Sequence, residues 1–144
     1  MKRTRISLIA ATVAALGALA QPAQAAANWT NWATFSAYST NYASYGYLDY
    51  RYEATGGGWY KAEFSYANIS DLKYGDGWGS VIRARYDTPQ GARWGVVAQA
   101  DDGDGDFNVG ETYYNVKNMW FEVCNWDMSS GAMYSCARMY KSSS

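Results

Sequence analysis

Residues 48–66 read LDYRYEATGGGWYKAEFSY, and this stretch decides the fold. In its first half Leu48, Tyr50, Tyr52 and Ala54 fall on one side, and Asp49, Arg51 and Glu53 on the other. In its second half Tyr60, Ala62, Phe64 and Tyr66 alternate with Lys61, Glu63 and Ser65. A period of two on both sides of a glycine cluster predicts a β-hairpin. Charge selects its register: Glu53 opposite Lys61 and Arg51 opposite Glu63 place unlike charges across the strands. The alternative sets Arg51 against Lys61 and Asp49 against Glu63, which costs up to about 1 kcal/mol per pair. The favoured register also pairs Tyr52 with Ala62, Tyr50 with Phe64 and Leu48 with Tyr66. Tyr50 and Tyr52 then face inward, and Tyr45 and Tyr47 fall on the charged, outward side.

The same alternation recurs downstream. SVIRARY (80–86) sets Ile82, Ala84 and Tyr86 against Arg83 and Arg85. After the turn DTPQGA, RWGVVAQA (93–100) returns with Trp94, Val96 and Ala98 on one side. FNVGETYYNV (107–116) is weaker strand material, and NMWFEVCNW, DMSSGAM and YSCARMY form a last hairpin over 118–140. Short strands, 14 glycines and only 2 prolines predict an all-β fold, a small antiparallel β-sandwich or compact barrel. Residues 28–47 carry no charge. Phe35, Tyr38, Tyr42 and Tyr45 recur there at helical spacing, but the intervening Ser, Thr and Asn are poor helix formers, so helix, strand and loop stay open.

The chain starts with a basic n-region (Lys2, Arg3, Arg5), an apolar run over 6–20 and the small-x-small triplet Ala23-Gln24-Ala25, the order of a secretory signal. The run is shorter than the ~20 residues a membrane helix needs. The chain thus divides into a signal peptide over 1–25, the uncharged segment 26–47, one β-domain over 48–141 and a flexible tail over 142–144. Cleavage removes three of the 12 basic side chains and none of the 13 acidic ones, leaving a net charge of −4. Such a chain has no basic stripe for nucleic acid. In an oxidising compartment Cys124 and Cys136 are expected to form a disulfide, worth about 3 kcal/mol for a loop of this size.

Several chemistries are excluded outright. With no histidine in the chain, a Ser-His-acid triad, a Cys-His pair and histidine metal sites cannot form. Paired carboxylates of the glycosidase kind would have to come from Glu63, Glu111 and Glu122, and nothing singles out an acid and a base among them. DDGDGD (101–106) resembles a calcium loop, yet both EF-hand registers lack the required Gly and Glu. A different calcium site built on Asp102, Asp104 and Asp106 stays open, and an exposed solubilising turn is the preferred reading. No cofactor is expected.

Setting Cys124 opposite Cys136 fixes the last hairpin, since the bond needs Cβ atoms about 3.8 Å apart. Glu122 then meets Arg138, Trp120 meets Tyr140, and Trp126 meets Tyr134. Met119, Phe121, Val123, Ala137 and Met139 form the opposite, core-facing side. Trp120, Trp126, Tyr134 and Tyr140 around the Glu122–Arg138 pair make a candidate stacking platform for a glycan or an apolar protein patch. The competing reading covers this face, with residues 28–47 for instance, and makes it a second small core.

The Ala-rich leader, GDGWGSVIRARY (75–86) and WFEVCN (120–125) with a second cysteine at 136 resemble small secreted proteins of actinobacteria. That resemblance implies an extracellular β-fold and carries no catalytic residue over. The expected function is a secreted, non-enzymatic binding module for glycan or cell-envelope polymer. The alternative is a secreted protein-interaction factor (inhibitor, toxin or surface component), with a carboxylate-dependent hydrolase third.

Overall fold

The computed structural model describes residues 28–101 and 112–143. The leader, the acidic residues Asp102, Asp104 and Asp106, and Glu111 lie outside them. Eight strands follow in order: β1 (Ala33–Tyr38), β2 (Ser44–Gly56), β3 (Trp59–Asp71), β4 (Trp78–Thr88), β5 (Gly91–Ala100), β6 (Thr112–Asp127), β7 (Met133–Arg138) and β8 (Tyr140–Lys141). All pairings are antiparallel, and the path through the sheet is β5-β4-β6-β3-β2-β1-β8, with β7 also on β6. The fold is all-β, with the Cys124–Cys136 disulfide in its last hairpin.

Strand β6 links two halves of this sheet. Its start pairs with β3 through Thr112, Tyr113 and Val116, and its later residues pair with β4 and β7. Asn115 and Asn118 bend the strand between these roles with φ of 52° and 53°, a left-handed conformation that asparagine tolerates better than most residues. The two halves meet over one core. Phe121 is 1 % exposed, and its ring lies 5.2 Å from Tyr50, 5.5 Å from Phe35 and 5.6 Å from Phe64. Gly46 permits close approach: a Cβ there would lie 2.8 Å from Ile82 Cγ1 and 2.9 Å from Val123 Cγ2.

The first hairpin adopts the register chosen by charge. Glu53 pairs with Lys61, Arg51 with Glu63, Tyr52 with Ala62 and Tyr50 with Phe64, and Arg51 Nη2 sits 2.6 Å from Glu63 Oε2. The register then slips. Asp49 faces Tyr66 and Leu48 faces Ala67, because Ser65 is an extra residue in β3, a β-bulge. Leu48 opposite Tyr66 is therefore corrected: Ala67 enters the core, and Tyr66 joins the outward side.

A second bulge corrects β5. Ile82 faces Ala98 but Arg83 faces Val96, so Val97 is the extra residue. Val97 and Ala98 are buried, while Trp94 and Val96 are exposed. The segment around residues 28–47 takes no helical form: β1 and the start of β2 pair from Ala33–Tyr50 to Tyr38–Tyr45, with Tyr42 in the intervening turn at φ 57°. The turn after β6 is organised by Asp127, whose carboxylate accepts from Ser129 N (2.8 Å), Ser129 Oγ (2.6 Å) and Ser130 Oγ (2.8 Å). These bonds, with the Ser129 hydroxyl foremost, pull its pKa down to about 2.

Candidate functional site

Alternation along β1 and β2 places Phe35, Gly46, Leu48 and Tyr50 on the core side, and the residues between them outside. Thr34, Ser36 and Tyr38 of β1 lie beside Asp49, Tyr47 and Tyr45 of β2. Those in turn lie beside Tyr66, Asn68 and Ser70 of β3. The result is an outer face crossed by a continuous row of rings, with Asp49 beside Tyr66 and the Arg51–Glu63 ion pair further along β2 and β3. Tyr42 is 5.8 Å from Tyr38, Tyr38 4.6 Å from Tyr45, Tyr45 6.3 Å from Tyr47, and Tyr47 5.2 Å from Tyr66, centroid to centroid. Tyr38 is 49 % and Tyr42 71 % exposed, so this end of the row is open to solvent, while Tyr45, Tyr47 and Tyr66 are half-buried. Hydroxyl and carboxylate groups fringe it, with Thr34 Oγ1 donating to Asp49 Oδ1 at 2.6 Å.

Within the row, the hydrogen bond with Tyr66 is the foremost cause that pushes the Tyr47 phenol from 10.0 up to about 12. A raised folded-state pKa favours the neutral phenol, so its contribution to stability is complete below pH 10.0 and lost as pH climbs toward 12. Burial pushes the Tyr50 phenol up as well. An alkaline titration followed by phenolate absorbance is expected to show a late-ionising class that includes Tyr47. In Tyr66→Phe one phenol leaves that class and titrates nearer 10.0. An unchanged late class would contradict the hydrogen bond.

The disulfide side differs from the platform drawn from sequence. Glu122 faces Arg138 and forms an ion pair with Arg83, while the Arg83 and Arg138 guanidinium groups lie over the rings of Trp94 (4.1 Å) and Trp120 (5.0 Å). The two indoles meet edge to face at 5.2 Å. Trp120, Glu122, Arg138 and the disulfide are thus brought together, with Arg83 and Trp94 added. Val81 and Cys124, paired across β4 and β6, are fully buried yet stand outside the main core cluster. Residues 33–38 and 44–47 lie in the sheet instead of covering this side.

Three of the expected neighbours go elsewhere. Another bulge lies opposite Cys124, where Ser135 has φ 51°, so Trp126 faces Met133, and Tyr134 faces Asn125. Trp126 lies against Gly79, where a Cβ would come within 2.1 Å of its Nε1, and that nitrogen donates to Ala100 O at 3.2 Å. Tyr134 packs edge to face on Trp78 at 5.0 Å. Tyr140 does not meet Trp120. Met139, 2 % exposed, turns into the core and donates its N–H to Phe121 O at 2.9 Å, so the chain crosses to β1 and Tyr140 pairs with Ser36. Tyr140 therefore belongs to the tyrosine face, where it borders a shallow groove of about 500 Å³ with Tyr38, Tyr42 and Arg138.

Two of the three candidate carboxylates are held in ion pairs, and Glu111 lies outside the described residues. Glu63 pairs with Arg51 and Glu122 with Arg83, on outer faces of the two halves with the core between them, so these two cannot flank one bond. Glu122, Cys124 and Cys136 cluster within 4.8 Å, but both sulfurs are in the disulfide and offer no thiolate to a metal. No helix among the described residues is long and apolar enough to cross a membrane. Comparison with known proteins finds no matching family model, curated protein or solved structure.

Proposed function

We propose that this chain is an exported, non-enzymatic module that binds a neutral polysaccharide through the tyrosine face of β1, β2 and β3. The row from Tyr42 to Tyr66 carries this reading. Pyranose rings present apolar C–H faces that pack on aromatic rings, and their hydroxyls suit a fringe of Ser36, Asp49, Asn68 and Ser70. The rings themselves are uncharged and Asp49 stands beside Tyr66, which favours a neutral polymer over an anionic one. A disulfide fits an oxidising compartment, and the signal-like leader adds to the same view.

Co-sedimentation with cellulose, chitin and peptidoglycan tests it. At about 1 kcal/mol per ring, Tyr38→Ala/Tyr47→Ala is expected to weaken retention by about 30-fold. Tyr38 is exposed and Tyr47 half-buried, both outside the hydrophobic core cluster, so the core is left intact. Trp94→Ala/Trp120→Ala is expected to be retained as wild type. Equal retention of the tyrosine variant, or no retention of the wild type on any polymer, contradicts the proposal.

A protein partner is the second reading, favoured by one observation. Trp94 and Trp120 with Arg83 and Arg138 over their rings are the residue types that dominate protein interfaces. Capture of a protein from culture supernatant that fails with Trp94→Ala/Trp120→Ala, beside no polysaccharide retention, would replace the first reading with this one.

A further inference from the structure

One end of the molecule carries a separate cavity of about 350 Å³, within the roughly 300–1,000 Å³ of small-ligand sites. Its walls come from the β1–β2 turn (Asn41), the β3–β4 loop (Lys73, Asp76), the start of β4 (Trp78), β6 (Asn125) and β7 (Tyr134). Trp78 and Tyr134 stand nearly perpendicular at 79°, which makes an aromatic corner. Asn41 is fixed through its oxygen, which accepts from Ser39 Oγ (2.8 Å) and Ala43 N (3.1 Å), so its amide N–H groups remain as donors. Asp76 is fixed through one oxygen, which accepts from Trp78 N at 2.9 Å, and its second oxygen remains as an acceptor. Thr40 N donates to Ser135 O at 2.9 Å and ties the two walls together.

Asn125 is the informative residue. It is 3 % exposed, and its Oδ1 is buried without a hydrogen-bond partner. A buried acceptor left unpaired is unfavourable and calls for a partner, which a bound water, an ion or a ligand in the cavity that Asn125 lines would supply. An aromatic corner, amide donors, a carboxylate acceptor and opposite charges on Lys73 and Asp76 suit a neutral polyhydroxy ring. A purely apolar ligand would strand the amides, and an anion would face Asp76.

We propose that this cavity binds one pyranose unit, either as a free sugar or as the end of a chain. The inference extends the glycan reading, yet it stands on residues separate from the tyrosine face and fails separately. Titration of the full chain with D-glucose, D-galactose, D-mannose and N-acetyl-D-glucosamine, followed by NMR of the Asn125 amide and Trp78 indole signals, is the test. At least one sugar is expected to shift both signals saturably. Asn125→Ala is expected to weaken that binding about tenfold with Tm unchanged or raised, because it removes an unsatisfied acceptor; a purely structural asparagine would lower Tm instead. Asp76→Asn, on the exposed loop, provides a second variant and is expected to weaken binding similarly. Tyr38→Ala/Tyr47→Ala is expected to keep sugar binding while losing polymer retention. A parallel loss of polymer retention in Asn125→Ala would identify a chain end as the ligand, and intact retention a free sugar. No saturable shift with any of the four sugars, or wild-type affinity in both Asn125→Ala and Asp76→Asn, overturns the proposal.

Discussion

Phe121→Ala is expected to destabilise the protein by about 3–5 kcal/mol. Phe121 is on β6, the strand shared by both halves of the sheet, and its ring touches Phe35 and Tyr50 from β1 and β2 and Phe64 from β3. Those strands are held by their own ladders and cannot easily close over the void, so the transfer loss and the cavity cost both apply. Domains of this size are stable by only about 5–15 kcal/mol, so a large part of the folded margin goes with one side chain. Urea unfolding should show the midpoint falling while the transition stays cooperative. A change below about 1 kcal/mol would mean that the two halves do not meet at Phe121.

Removing the disulfide is expected to have the next largest effect, about 3 kcal/mol. Cys124 and Cys136 are 12 residues apart with Cα atoms 4.1 Å apart, and the bond closes the hairpin opposite the bulge at Ser135. That closure holds the end of β7 near β6, so that Met139 can enter the core and Tyr140 can reach β1. Cys124→Ala/Cys136→Ala should lower the denaturation midpoint, and reductant should lower the wild type by a similar amount while leaving the variant unchanged. A wild type indifferent to reductant would show that the β6–β7 ladder alone sets the hairpin.

The all-β fold was legible because alternation survives in single strands: Leu48 to Ala54 and Tyr60 to Phe64 carry it without interruption. The hairpin register was legible near the turn because it sets unlike charges opposite each other, Arg51 with Glu63 and Glu53 with Lys61. Past Ser65 it was not. A bulge adds one residue without a mark in composition, and from there each side chain changes face. The same limit applies at Val97 and beside Ser135. Residues 28–47 were ambiguous because Phe35, Tyr38, Tyr42 and Tyr45 share a helical spacing by coincidence: Phe35 faces the core, Tyr42 sits in a turn, and Tyr38 and Tyr45 face outward.

The candidate site was legible only in parts. Tyr45 and Tyr47 could be placed outward by alternation against Leu48 and Tyr50. Tyr66 could not, since the bulge sends it to their side. Tyr38 needed the pairing of β1, which depends on contacts distant in sequence. Grouping Tyr140 with Trp120 assumed that the last hairpin runs on past Arg138, whereas the burial of Met139 ends it there and carries Tyr140 to the tyrosine face. Trp94 and Arg83 belong beside Trp120 because β4 lies between β5 and β6, an order of strands that the sequence does not display. Asn125 gives no signal in sequence, because its significance rests on an unpartnered oxygen inside the fold.

The most direct test of polysaccharide recognition is amide chemical-shift mapping with a soluble oligosaccharide cut from whichever polymer retains the chain. Shifts are predicted to concentrate along the outer positions of β1, β2 and β3, at Tyr38, Tyr45, Tyr47 and Tyr66. Shifts confined instead to Trp94, Trp120 and Arg138 on the disulfide side would contradict it.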